Sequence, residues 1–228
     1  MCINNIRLAM LGSSRKIKHQ RIHRPTMIAK RVFDLCLTVI ILIIVLPFFP
    51  LIALTIKLDS KGDVFYRQLR VGKATPSKIH IFEMIKFRSM EQDAEDDTGA
   101  VLAIKEDQRV THVGRFLRRT RLDELPQLFN VLRGDMSLVG PRPERPPFYQ
   151  KLENEIPYFS ERTYGVLPGI TGLAQISQGY DTCIDDVRSK VGFDHSYALS
   201  LNSLSNWIKT DLYILVMTVK VIFSKQGQ

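Results

Sequence analysis

Residues 121–144 read RLDELPQLFNVLRGDMSLVGPRPE, and this stretch organises the rest of the chain. Leu125, Leu128, Phe129 and Leu132 recur at i, i+3, i+4 and i+7, which predicts a short amphipathic helix with one packed face. Asp123 is placed as its N-cap, Pro126 sits where a missing N–H is harmless, and Gly134 is a ready C-terminal stop. Two adjacent carboxylates, Asp123 and Glu124, therefore stand at a rigid helix start with arginines on both sides. A Gly-Asp turn and a Gly-Pro-Arg-Pro loop follow. The arrangement suits metal-assisted phosphate chemistry. From spacing alone, it serves equally as an N-cap followed by a first-turn acid that favours the helix dipole.

Outward from this element, residues 64–71 and 79–87 are rich in β-branched and aromatic side chains. Gly72 and Pro76 separate them, which predicts a two-stranded hairpin. Lys86 and Arg88 end the second strand, and alternation puts both on one side of it. Residues 91–97 form an acidic run that reads as a solvated loop, and residues 113–119 as a short basic helix. Four prolines within residues 141–147 impose extended or turn backbone. Near the C-terminus, Trp207, Ile208, Leu212, Leu215, Val216, Val219 and Phe223 make a helical stripe. That helix either packs on the core or lies in a membrane interface with Trp207 and its lysines at headgroup level. The fold class is α+β, mostly helical, with a small hairpin.

The net charge of +9 invites a nucleic-acid reading, but its distribution argues otherwise. Residues 1–34 hold eight Lys or Arg and one acid, residues 35–56 hold no charge, and the remainder carries only +2. A basic leader abutting an apolar segment is the pattern of an anionic membrane surface, so no nucleic-acid partner is expected. Cys2, Cys36 and Cys183 give no metal-ligand spacing and no disulfide framework. His80, His112 and His195 are isolated and read as structural or surface residues.

Residues 35–56 are long enough, at ~1.5 Å each, to cross a hydrocarbon core of ~30 Å. A cleaved signal peptide is disfavoured because no small-residue cleavage site follows Ala53. A straight span and a re-entrant helix-break-helix remain. Pro47 and Pro50 each remove a backbone hydrogen bond mid-run, and both flanks are basic, so the re-entrant form is favoured. The chain divides into a basic leader (1–29), a re-entrant membrane helix (30–57) and a catalytic domain with a C-terminal amphipathic helix (58–228).

Four pieces in order, KRVFD at 30–34, KFRSM at 86–90, the Asp-Glu run and PGITGLAQ at 168–175, resemble the monotopic phosphoglycosyl transferases. These bacterial sugar transferases begin polysaccharide assembly on a polyprenyl (undecaprenyl) phosphate carrier. The resemblance covers nearly the whole chain after residue 29. It implies attachment at the cytoplasmic face of the bacterial inner membrane, interfacial helices among membrane lipid, and a UDP-sugar donor with polyprenyl phosphate acceptor. Asp123 is then the nucleophile that attacks the phosphorus next to the sugar, with loss of UMP. Mg²⁺ is the implied cofactor, contacted by Asp123, and Glu124 either orients the nucleophile or assists the metal shell.

By the same resemblance, Lys86, Arg88, Arg118 and Arg142 bind phosphate, while Gly169, Gly172 and Gln175 belong to the substrate-binding PGITGLAQ run. Arg142 reads alternatively as an ion-pair partner of Asp135 or Glu144. The family's membrane break usually carries Ser-Pro where this chain has Leu46-Pro47. It often has a basic residue where this chain has Leu167, and Arg162 is the nearby compensating candidate. Two rivals stand. One is a metal-dependent glycosyltransferase releasing UDP, and the other a membrane-tethered interaction protein using the leader. The sugar and the oligomeric state, a homo-oligomer among the options, are left open.

Overall fold

The computed structural model describes residues 22–94, 107–178 and 184–224. Most of the basic leader, part of the acidic run, Cys2, Cys183 and Lys225 lie outside them. The fold is α+β and mostly helical. Helix α1 spans Arg24–Val45, a 3₁₀ turn covers Leu46–Phe48, and α2 spans Phe49–Asp59. An antiparallel hairpin follows, β1 (Phe65–Thr75) and β2 (Lys78–Phe87), then α3 (His112–Thr120), α4 (Gln127–Arg133) and β3 (Ser137–Val139). Helix α5 (Pro146–Glu155), β4 (Gly169–Thr171), α6 (Leu173–Ser177), α7 (Ile184–Ser200) and α8 (Leu204–Ser224) complete it. Strands β3 and β4 pair in parallel.

The prolines set the break in the first helical pair. Pro47 opens the 3₁₀ turn and Pro50 the first turn of α2, so neither donates to the ladder where it would be interrupted. The burial of α1 is inverted relative to a soluble helix. Its buried stripe is Thr26, Lys30, Asp34, Thr38 and Leu42, four polar residues out of five. Its outer face exposes Ile28, Val32, Ile40, Ile43 and Ile44, and α2 continues this with Leu51, Leu54 and Leu58. Such a contiguous apolar exterior marks a surface made for a non-aqueous neighbour. Both ends of the pair are held by one domain. Arg31 Nη1 donates to Val131 O (2.7 Å) at the end of α4, and Asp59 Oδ2 accepts from Val113 N (2.8 Å) at the start of α3.

The main core gathers Phe82 and Met84 of β2, Leu128 and Val131 of α4, Met136, Leu138 and Val139 around β3, and Tyr197, Trp207 and Ile214 from α7 and α8. Four expectations need correction here. Leu132 is exposed and Val131 takes the core position, because the helix is shorter than expected and starts at Gln127. Pro146 and Pro147 open α5 rather than extending the loop, as proline can at the first helical positions. The C-terminal stripe splits in two. Trp207 is buried with its Nε1–H on Asp211 Oδ2 (2.8 Å), while Ile208, Leu212, Val216 and Val219 face outward. The hairpin is also longer than its sequence cue, with Gly72 inside an irregular register between Val71 and Ala74.

Asn130 joins α4 to the hairpin. Its Oδ1 accepts from Ile85 N (3.0 Å) and its Nδ2 donates to Glu83 O (2.7 Å), so one side chain completes the edge of β2 as a neighbouring strand would. Asn130 is fully buried, and removing it strands both backbone groups. Asn130→Ala is therefore expected to lower stability by about 2–4 kcal/mol, at ~1–2 kcal/mol for each stranded group. A thermal melt of the purified variant checks this.

Candidate active site

The chain reaches the two carboxylates through a left-handed residue. Thr111 Oγ1 caps α3 by accepting from Gly114 N (3.0 Å), and α3 ends at Arg121, whose φ is +59°. This conformation costs a non-glycine residue about 1–2 kcal/mol. The Arg121 side chain is put to use, since its Nη1 lies 4.0 Å from Glu124 Oε1. The turn redirects the backbone into a 3₁₀ segment, Leu122–Glu124, so Asp123 is not the N-cap of α4. Proline 126 takes that position, and Gly134 (φ +93°) ends the helix as expected. Asp123 and Glu124 are both buried.

Lys86, Glu124 and Arg142 converge. Lys86 Nζ donates to Glu124 Oε1 at 3.1 Å and Arg142 Nη2 donates to the same oxygen at 3.4 Å. Arg142 thus pairs with Glu124. The two carboxylates are driven apart electrostatically. Burial pushes Glu124 up, but Lys86, Arg142 and Arg121 outweigh it and hold the carboxyl well below the usual range. Burial pushes Asp123 up, and the Glu124 charge adds to this against Lys86, Arg118 and Arg121. Asp123 Oδ1 is buried and has no hydrogen-bond partner among the described residues. One carboxylate is neutralised by its neighbours; the other keeps an unsatisfied oxygen.

These groups lie on a cleft of about 1310 Å³, larger than the roughly 300–1,000 Å³ typical of a small-molecule site. Its charged lining includes Lys86, Arg118, Arg121, Asp123, Glu124 and Arg142. Its apolar lining includes Ile41 from α1 and Leu215, Val221 and Ile222 from α8. The same cleft therefore offers surface to both water-soluble and lipid-like groups.

Other expected site residues are placed differently. Arg88 borders the cleft, but its guanidinium is committed to Lys61 O (2.6 Å), Ser60 O (2.8 Å) and Gln92 Oε1 (3.1 Å), tying β2 to the end of α2. Gly169 and Gly172 do not border it. A Cβ on either would stand 2.1 or 2.2 Å from the backbone of Gly140, so these glycines permit the close approach of β3 and β4. Gln175 does border the cleft, with its Nε2 on Ile170 O (3.0 Å). Arg162, offered as a nucleotide contact, is buried and pairs with Asp194 (2.6 Å) and Glu144 (3.3 Å). Asp135 belongs to the turn after α4, 3.4 Å from Asn130 Nδ2.

Arg70 is a cleft residue that pattern reading passed over. It borders the cleft and donates from Nη1 to Pro143 O (3.0 Å). Burial lowers its pKa to about 10, with Arg142 adding to the effect. The only cue was an arginine two residues before Gly72 in an otherwise strand-like run.

Among the described residues no group of three His, Cys, Asp or Glu could hold a metal on its own. Mg²⁺ does not require one, since it is commonly held by one or two carboxylates with substrate phosphate and water completing its shell. The orphaned Asp123 Oδ1 beside Glu124 is a hard-oxygen donor set that fits this use.

A family model described as bacterial sugar transferase matches residues 25–225. The UDP-N-acetylgalactosamine-undecaprenyl-phosphate N-acetylgalactosaminephosphotransferase of Aeromonas hydrophila is 42% identical over 198 residues, covering 87% of this chain and 44% of that protein. A Bacillus subtilis protein named as a candidate undecaprenyl-phosphate N-acetylgalactosaminyl 1-phosphate transferase is 48% identical over 160 residues, 67% of this chain and 87% of its own. The UDP-glucose:undecaprenyl-phosphate glucose-1-phosphate transferase of Klebsiella pneumoniae is 41% identical over 196 residues, 85% of this chain and 40% of that protein. The chain thus spans less than half of two of these relatives and most of the third. With the family model matched from the first turn of α1 through the end of α8, the chain belongs to the bacterial sugar transferase family.

Proposed function

We propose that this protein is a phosphoglycosyl transferase that moves a sugar 1-phosphate from a UDP-sugar to undecaprenyl phosphate and releases UMP. The observation that carries the reading is the asymmetric carboxylate pair. Glu124 is charge-compensated by Lys86 and Arg142, while Asp123 keeps a buried oxygen without a partner among the described residues. An Asp123 oxygen attacks the phosphorus next to the sugar. The bond from that phosphorus to the bridging oxygen breaks, and UMP leaves with the electron pair. The phosphosugar is then held on Asp123 until an oxygen of undecaprenyl phosphate attacks the same phosphorus and frees the carboxylate. A covalent carboxylate intermediate divides one displacement into two easier ones.

Lys86, Arg118 and Arg142 hold the diphosphate against a carboxylate that would otherwise repel it, Arg142 as a fork and Lys86 as a point charge. Glu124 keeps Lys86 and Arg142 oriented. Asp123 is the residue that would hold a Mg²⁺ ion, which would supply further charge screening.

The placement at a membrane follows the same logic. The apolar exterior of α1 and α2 enters one leaflet and returns, because Arg31 and Asp59 tie its two ends to one domain. The outward stripe of α8 lies along the interface. The carboxylates then stand at the cytoplasmic headgroup level, where the acceptor phosphate is found, and the prenyl chain follows the Ile41–Leu215 lining of the cleft.

The test is nucleotide release from a panel of UDP-sugars, with Mg²⁺ and undecaprenyl phosphate in detergent. UMP from one sugar is expected. UDP overturns the mechanism in favour of direct glycosyl transfer.

A further inference from the structure

The loop that carries Arg142 is mounted with unusual completeness. Four consecutive carbonyls are each taken by a donor from one of three distant segments, β1, the turn at Arg162 and β4. Pro141 O accepts from Gly169 N (2.9 Å), and Glu144 O accepts from Val71 N (2.8 Å). Between them, Arg142 O accepts from Arg162 Nη2 (3.1 Å) and Pro143 O from Arg70 Nη1 (3.0 Å). Prolines at 141 and 143 fix φ on either side of Arg142.

Backbone amides or water would satisfy these carbonyls at little cost. Burying guanidinium groups to do so is expensive unless each is compensated. For Arg162 the compensation is built in. Its Nη1 lies 2.6 Å from Asp194 Oδ2, its Nη2 lies 3.3 Å from Glu144 Oε1, and it stacks 4.6 Å over the Phe159 ring. The side chains of Arg162 and Asp194 are only 5% and 3% exposed. Arg162 therefore holds the backbone of Arg142, whose own guanidinium reaches Glu124 at 3.4 Å.

We infer that Arg162, anchored by Asp194 on α7, and Arg70 are positioning residues that aim Arg142 at the donor diphosphate. This rests on reading the cleft as a sugar-nucleotide site. Neither residue needs to touch the substrate. Their effect is transmitted through the carbonyls of Arg142 and Pro143, and so it disappears when the Arg142 side chain is gone. A purely structural role for Arg162 has no such dependence.

The experiment is a double-mutant cycle on the affinity of the detergent-solubilised full chain for UDP, read by calorimetry. Arg142→Ala is expected to weaken UDP binding by about 10- to 100-fold, the loss of a charge-assisted contact. Arg162→Lys should weaken it about 10-fold alone and less than about 2-fold when added to Arg142→Ala, the non-additivity of a coupled pair. Arg70→Lys leaves the Asp194 pair intact and should show the same pattern, which keeps the test available if Arg162→Lys misfolds. Equal effects of these lysine variants with and without Arg142 overturn the inference. So does an unchanged UDP affinity in Arg162→Lys accompanied by a lower melting temperature. If the wild-type chain fails to bind UDP, the reading of the site falls along with the inference. If it binds UDP and turns over a UDP-sugar but the cycle is additive, only the positioning role falls.

Discussion

Asp123→Asn is expected to abolish nucleotide release, by at least about 10⁴-fold, and to raise the melting temperature rather than lower it. The loss has the size seen when a group acting in covalent catalysis is removed. The gain in stability has a separate cause. Burial, reinforced by the Glu124 charge, raises the Asp123 pKa in the folded protein. A carboxyl with a raised folded pKa favours folding only below its unfolded pKa, so at neutral pH its ionisation is a penalty. The neutral amide removes that penalty along with the activity.

The same shift gives the pH dependence. Turnover requires the carboxylate, so the rate should fall on acidification at a higher pH than an ordinary aspartate would allow. Glu124 has the opposite sign. Its depressed folded pKa stabilises the protein above its unfolded value and is lost only under strong acid. A pH–rate profile alongside thermal melts of both proteins checks the account. A destabilised Asp123→Asn with residual turnover would mean that Asp123 serves the fold and not the chemistry.

The second large effect is on stability. Lys30 Nζ lies 2.7 Å from Asp211 Oδ2 and 3.6 Å from Asp34 Oδ1, joining α1 to α8. Asp211 also accepts from Tyr197 Oη (2.9 Å) and Trp207 Nε1 (2.8 Å), and Asp34 from Ser137 Oγ (2.7 Å). Lys30→Met leaves two buried carboxylates without their cation, a change that costs about 3–5 kcal/mol. For a chain of this length the melting temperature should drop by roughly 10 °C. Adding Asp211→Asn should recover part of that loss, since the two sites form one network. A drop of under about 1 °C would mean that the network is not closed to water and does not fix α1 against the domain.

Much of this was legible in the sequence where the cue was local. The hairpin, the basic helix before Asp123, the Gly134 stop and the proline break each depend on nearby residues, and each is found. The Asp123–Glu124–Lys86–Arg142 cluster was legible through motif resemblance, although β2 and the Gly-Pro-Arg-Pro loop lie far apart in the chain. What escaped is set by tertiary geometry. The left-handed Arg121 displaces the helix start, because the chain must turn before α4 can pack. Arg88 was expected to bind phosphate and Arg162 to compensate for Leu167, because a basic residue shows its charge in sequence but not its carbonyl or carboxylate partner. Gly169 and Gly172 looked like openings for a ligand, yet the approach they permit is between two strands. Asn130 and Arg70 gave almost no signal, since a single polar residue in a helix or strand does not reveal the edge or loop it completes.

The most direct measurement is intact-protein mass spectrometry, with quantified nucleotide release, after incubation with the UDP-sugar and Mg²⁺ in the absence of acceptor. The account predicts a burst of UMP stoichiometric with enzyme and a mass gain of one sugar phosphate. The adduct should map to the peptide containing Asp123, be absent in Asp123→Asn, and be discharged by undecaprenyl phosphate. Turnover with acceptor, but neither burst nor adduct without it, would contradict Asp123 as a covalent nucleophile.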